Sequence, residues 1–89
     1  METRDFAFAL RLLKQGKRVA RIGWNGKGMW LILIPADAWH TSVGPSSMFI
    51  PNAHRLPWIA MKTVDGGLVP WLASQTDILA EDYVEVTDY

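Results

Sequence analysis

The chain has 89 residues, of which 49% are hydrophobic, with five tryptophans, no cysteine and a formal net charge of zero. The length argues for one domain spanning 1–89. The missing cysteine excludes disulfide staples, thiol nucleophiles and thiolate metal sites. Neutral overall charge speaks against polymeric nucleic acid or an anionic membrane as a partner. A domain this small buries only ~60–65% of the surface its unfolded chain exposes. So large an apolar load implies either an unusually aromatic core or burial in a subunit interface or a ligand, and symmetric self-association, a homo-oligomer, is the favoured reading. The charge is unevenly spread: residues 1–27 carry a balance of +5, and residues 28–89 a balance of −5. Either the two halves pair, within or between chains, or the basic half is a local site for a small anion. METRDFAFALRLL is charged too early and too often for a signal peptide. The longest apolar run, Met29–Ala36, falls far short of the ~20 residues of a membrane helix. The expectation is a soluble intracellular protein with no membrane partner.

In chain order, Asp5–Gln15 reads as a helix, with Phe6, Leu10 and Leu13 on one face beside Ala9. Thr3 or Asp5 caps its start, Gly16 takes the left-handed position past its end, and Arg11 and Lys14 face outward. Lys17–Ile22 alternates as a short strand. Met29–Ile34 is a second strand, apolar on both faces, which predicts a sheet covered on both sides. Between them Asn25-Gly26 reads as a hairpin turn. Pro35–Asn52 is a long loop with one helical turn at Ala36–Trp39. Pro57–Thr63 is a third strand, with Ile59 and Met61 on one face and Trp58, Ala60 and Lys62 on the other. Asp65-Gly66-Gly67 is a tight turn. Leu68–Leu72 is a fourth strand, placed at an edge by Pro70. Ser74 to Asp77 is a capping box ahead of a short helix through Ala80, and Tyr83–Val86 is a fifth strand. The fold class is α+β: a small, mainly antiparallel sheet with the N-terminal helix packed on it and a short helix near the C-terminus.

Catalysis finds little support. His40 and His54 lie in or beside the long loop with no carboxylate spaced to serve both, and capping explains Ser74 and Asp77 first. "GWNGKG" (23–28) lacks the spacing of a phosphate loop and of a dinucleotide fold. Its hairpin reading leaves Trp24 unexplained, since a large ring is out of place in a glycine turn. Trp71 stands where an edge strand meets a capped helix. Neither is a natural core centre, and an indole stacks on any base at ~1–3 kcal/mol. The polar groups around them suit a nucleotide: Asn25 and Asp77 for ribose hydroxyls or base edges, and Lys27 and Arg21 for phosphate. The amides at the start of the Ser74 helix also suit an anion.

The stretches "ALRLLKQGKRVARIGWNGKGMWL" and "PWIAMKTVDGGLVPWLASQTDILAEDYVEV", in that order, resemble the second type of Thoeris anti-defence protein, a family of small phage proteins. The resemblance spans nearly the whole chain, and "GWNGKG" and "VPWLASQTD" are its most specific parts. The family usually carries a tryptophan near Tyr83, so this chain keeps an aromatic there but changes it. The resemblance implies a sponge that binds a cyclic ADP-ribose-type messenger of the Thoeris system without cleaving it and needs no cofactor. It also implies a homotetramer with ligand pockets at its interfaces and action in the infected host's cytoplasm. Some members are reported to bind cyclic oligonucleotides of another defence system. On this reading Trp24 and Trp71 stack on the base-like faces. Asn25, Ser74 and Asp77 meet ribose hydroxyls, and Lys27 and Arg21 offset the diphosphate. Gly26 and its neighbouring glycines allow close approach, and Phe8, off the helix stripe, is an exposed contact or interface residue. Two other classes stay open: a phosphodiesterase or glycohydrolase with Asp77 or His54 as base, and a protein-interaction module.

Overall fold

The computed structural model describes residues 3–24, 28–38 and 55–87. Asn25, Gly26 and Lys27 lie outside the described residues, as do Trp39, His40, Phe49 and His54 and the loop from Trp39 to Asn52. The described elements are α1 (Phe6–Lys14), β1 (Arg18–Arg21), β2 (Trp30–Ile34), a 3-10 turn (Ala36–Ala38), β3 (Trp58–Lys62), β4 (Leu68–Pro70), α2 (Gln75–Leu79) and β5 (Tyr83–Val86).

α1 starts at Asp5, whose carboxylate accepts the Phe8 N–H at 3.0 Å. That satisfies one of the donors a helix start leaves unpaired. Thr3 supports the cap from outside by donating its hydroxyl to Asp5 at 3.2 Å. The helix stops where Gly16 turns to φ +83. There the Gly16 and Lys17 amides donate back to the Leu13 and Leu12 carbonyls at 3.0 and 3.1 Å. This pair of bonds is the Schellman arrangement, which a residue with a Cβ adopts only at a cost.

One expectation for this helix is corrected. Ala9 and Leu13 are fully buried, and Phe6, Phe8 and Leu12 pack against the core. Leu10 instead lines an outer hollow with Ala7, Arg11, Lys14 and Gln15. The buried stripe is thus centred on Ala9. At about 100° per residue, Phe8 and Leu10 occupy its two shoulders. The Phe8 ring packs against the core while staying partly exposed, and the Leu10 side chain, also partly buried, lines the outer hollow.

The five strands form one sheet in the order β4-β3-β2-β1-β5, with every neighbour antiparallel. Val19, Leu31, Met61 and Val69 are cross-strand partners in turn and share one face. α1 lies against that side, touching β1, β2, β5 and α2. The core there is Ala9, Leu13, Val19, Leu31 and Tyr83, all fully buried. Burying each of the larger side chains contributes roughly 1.5–3 kcal/mol. The opposite face carries Trp30, Ile32, Ile34, Trp58, Ala60 and Lys62, where the Arg18 guanidinium lies 4.3 Å from the centre of the Trp30 ring. Among the described residues both helices lie on one side of the sheet, whereas the sequence predicts cover on both.

β3 and β4 are joined by a turn in which Gly66 takes φ +93 and its amide donates to the Thr63 carbonyl at 3.0 Å. The Thr63 hydroxyl accepts the Gly67 amide at 2.9 Å and donates to Asp65. From β4, at one edge, the chain crosses by way of α2 to β5 at the other. That crossover brings the capped helix start to the end of β1, where the candidate site lies.

Candidate functional site

Four segments meet at this corner. β1 delivers Arg21 at its last residue, and the turn that follows delivers Gly23 and Trp24. The link from β4 to α2 delivers Trp71 and Ser74. The stretch from α2 into β5 delivers Asp77, Asp82 and Tyr83. β1 and β5 pair with Arg21 opposite Tyr83, which sets Asp82 beside the turn.

Arg21 is the hub. Its Nη1 donates to Asp77 Oδ1 at 2.8 Å, and its Nε donates to Asp82 Oδ1 at 2.9 Å. All three side chains are largely buried, at 16% exposure for Arg21 and Asp77 and 30% for Asp82. Two carboxylates to one guanidinium leave the cluster one negative charge. The hydrogen bond to Asp82, then that to Asp77, raises the Arg21 pKa. Asp82 is held below the usual carboxylate range, first by Arg21 and further by the Gly23 amide, against the opposing effect of burial. For Asp77, burial works upward, but hydrogen bonds from Arg21, Ser74 and Trp24 outweigh it and hold the pKa down.

The Asp77 carboxylate is fully occupied. Oδ1 accepts from Arg21 at 2.8 Å and from the Trp24 indole N–H at 3.3 Å. Oδ2 accepts from the Ser74 amide at 3.2 Å and the Ser74 hydroxyl at 3.0 Å. Four donors match the roughly four lone-pair positions of a carboxylate. The Asp77 amide in turn donates to Ser74 Oγ at 3.1 Å, completing the capping box that the sequence predicts. Below it, the buried Tyr83 hydroxyl donates to the Asp77 carbonyl at 2.6 Å. Burial, with Asp77 nearby, pushes the Tyr83 phenol up to about 12.

The aromatic rings form one continuous group. Trp24 and Trp71 are both half-buried, with centroids 6.5 Å apart and planes at 66°. Phe6 lies 6.0 Å from Trp71 and 5.9 Å from Tyr83. Trp24 and Trp71 thus meet edge to face, the favoured arrangement for neighbouring rings, and both pack partly buried against the core.

The structure therefore brings together five of the predicted site residues: Trp24, Trp71, Arg21, Ser74 and Asp77. Phe8 is partly buried against the core. Asn25, Gly26 and Lys27 fall outside the described residues. The sequence places a phosphate against Arg21; here that guanidinium already lies between two carboxylates. Asp82, Phe6 and Tyr83 belong to the corner and sequence reasoning passes over them. One signal for Asp82 was the charge division between the two halves of the chain. It is realised within the chain by the Arg21 pairs and by Lys17–Glu85 at 3.9 Å. Gly23 also gains a reason: a Cβ there would sit 2.9 Å from Asp82 Oδ2, whereas the bare amide donates to that oxygen at 2.8 Å.

Fold and corner together define a small α+β domain with a half-buried aromatic and ionic cluster at one end of an antiparallel sheet. A family model described as the Thoeris anti-defense 2-like domain matches residues 4–86. The chain is also 42% identical over 80 residues to a protein of Bacillus phage SP01 described as Thoeris anti-defense 2, covering 89% of this chain and 90% of that relative. The chain belongs to the Thoeris anti-defense 2-like family, and this membership supports a phage anti-defence role. Among the described residues no helix is long and apolar enough to cross a membrane.

Proposed function

We propose that this protein is a sponge: it binds and sequesters a cyclic ADP-ribose-type messenger of the glycocyclic class without cleaving it. It thereby blocks activation of the Thoeris effector in the host cytoplasm. The observation that carries this reading is the convergence of Trp24 and Trp71 on a polar corner, in a chain of this family. Each indole offers a face to an adenine or a second flat group of the ligand. Asn25 and Ser74 are assigned to the ribose hydroxyls and Lys27 to the diphosphate, while Gly26 gives the loop close approach. Arg21 and Asp77 hold the corner together, and their mutual charge leaves the phosphate to Lys27.

Chemistry at Asp77 is disfavoured because its oxygens are filled by four donors and its pKa is lowered, which makes it a poor general base. We further propose a homo-oligomer, a tetramer on the family pattern. Leu72 is 93% exposed and Leu79 76%, close in sequence to Ser74 on either side, and Leu68 and Val69 are exposed on the edge strand β4. Large exposed apolar side chains favour burial against another copy.

Titration with glycocyclic ADP-ribose by calorimetry tests the reading. Tight binding by the native protein is expected. Stacking at ~1–3 kcal/mol per base implies that Trp24→Ala and Trp71→Ala each weaken binding by roughly 10–100-fold. Unchanged affinity in both variants would move the site elsewhere, and no binding by the native protein would remove the ligand assignment.

A further inference from the structure

We propose that Arg21 and Asp82 are positioning residues that hold Trp24 in its binding orientation, a role that rests on the stacking assigned to Trp24 above. A glycine-rich turn does not by itself fix a ring: its backbone has many conformations to lose. Here the turn is anchored once by the Arg21 main chain and twice through carboxylates that the Arg21 guanidinium holds. The Trp24 amide donates to the Arg21 carbonyl at 3.3 Å. The preceding Gly23 amide donates to Asp82 Oδ2 at 2.8 Å, while the other oxygen of that carboxylate receives Arg21 Nε at 2.9 Å. The Trp24 indole N–H donates to Asp77 Oδ1, the same oxygen that Arg21 Nη1 holds at 2.8 Å. The guanidinium thus ties the backbone anchor of the turn (Asp82) to the side-chain anchor of the ring (Asp77).

The planar, two-sided donor set of arginine suits this bridge, and a lysine ammonium does not reproduce it. A Cβ at Gly23 would sit 2.9 Å from Asp82 Oδ2, so the Asp82 carboxylate would have to move from its place in the clamp. The clamp fixes the ring before a ligand arrives, so binding does not spend its free energy on ordering the loop. It also accounts for an arginine that sits at a proposed anion site yet is matched by two acids. Its charge serves the protein's own geometry.

The test uses the full chain labelled with nitrogen-15. Comparison with Trp24→Phe assigns the Trp24 indole signal, without any ligand. Asp82→Asn and, independently, Gly23→Ala should each shift the Trp24 signal while leaving those of Trp30 and Trp58, on the opposite face of the sheet, in place. Affinity for glycocyclic ADP-ribose should fall about tenfold in Asp82→Asn, the order expected for losing a charge-assisted hydrogen bond. In a Trp24→Phe background the same substitution should change affinity by less than about twofold, because residues acting through one ring are not additive. An unmoved Trp24 signal in both variants, or an equal loss of affinity with and without Trp24, overturns the clamp. If native protein takes no glycocyclic ADP-ribose, the functional reading fails and the indole signal alone decides the clamp.

Discussion

The two edges of the sheet are built from the same antiparallel pairing and finished in opposite ways. At the β5 edge, Tyr83 is fully buried under α1, the neighbouring Asp82 is bridged to Arg21, and Arg4 adds a short parallel bridge outside. At the β4 edge all three residues are exposed, Leu68 and Val69 are bare, and Pro70 removes a ladder donor. The β5 edge is tied to its neighbours through the Tyr83 amide to the Arg4 carbonyl and through Asp82 to Arg21 and the Gly23 amide. The other offers apolar surface outward.

The sharpest test truncates one buried and one exposed leucine. Leu31→Ala, in the core on the central strand β2 beneath α1, should cost about 3 kcal/mol of unfolding free energy in a denaturant titration. Leu72→Ala should cost under about 0.5 kcal/mol of intrinsic fold stability but lower the oligomer mass measured by light scattering. A Leu72 variant that keeps the oligomer would detach self-association from this surface.

Between those extremes, Tyr83→Phe keeps the packing and deletes the bond to the Asp77 carbonyl, for an expected loss of about 1 kcal/mol. Ser74→Ala removes the cap of α2, for a similar loss of about 1 kcal/mol. Thermal melts of both variants check these values. Losing neither amount would mean that the α2 start contributes little to the β5 edge.

Much of this could be read from residue order, and the reasons are local. Asp5 and Gly16 mark the ends of α1 because capping chemistry is set by neighbours in sequence. Ser74 and Asp77 announce their box for the same reason. Tyr83–Val86 begins and ends where its alternation does. What escaped is what distance in the chain hides. Arg21 and Asp82 are 61 residues apart, and nothing in either neighbourhood names the other. Periodicity gives α1 an apolar side, but which shoulder of it faces the core depends on how the helix crosses the sheet. Phe8 consequently packs against the core, and Leu10 lines the outer hollow. Trp24 reads as out of place in a turn, and it is; the tie from its indole to Asp77 shows only in three dimensions.

The smallest expected effect is that of pH. Asp77 and Asp82 both have lowered pKa values in the fold. The stability they contribute is therefore complete above their unfolded values, about 4, and is lost as pH falls through the lower folded values. Melting temperature should be flat from pH 7 to about 5 and decline below about 4, with a shallower decline in Asp82→Asn. An equally steep decline in that variant would place the acid sensitivity outside the clamp.

The central claim is capture without chemistry, and one measurement addresses it directly. The purified protein is mixed with glycocyclic ADP-ribose, freed of unbound ligand and heat-denatured, and the released nucleotide is analysed by mass spectrometry. The account predicts release of the intact messenger in stoichiometric amount. Release of a cleaved product, or of no nucleotide at all, would contradict it.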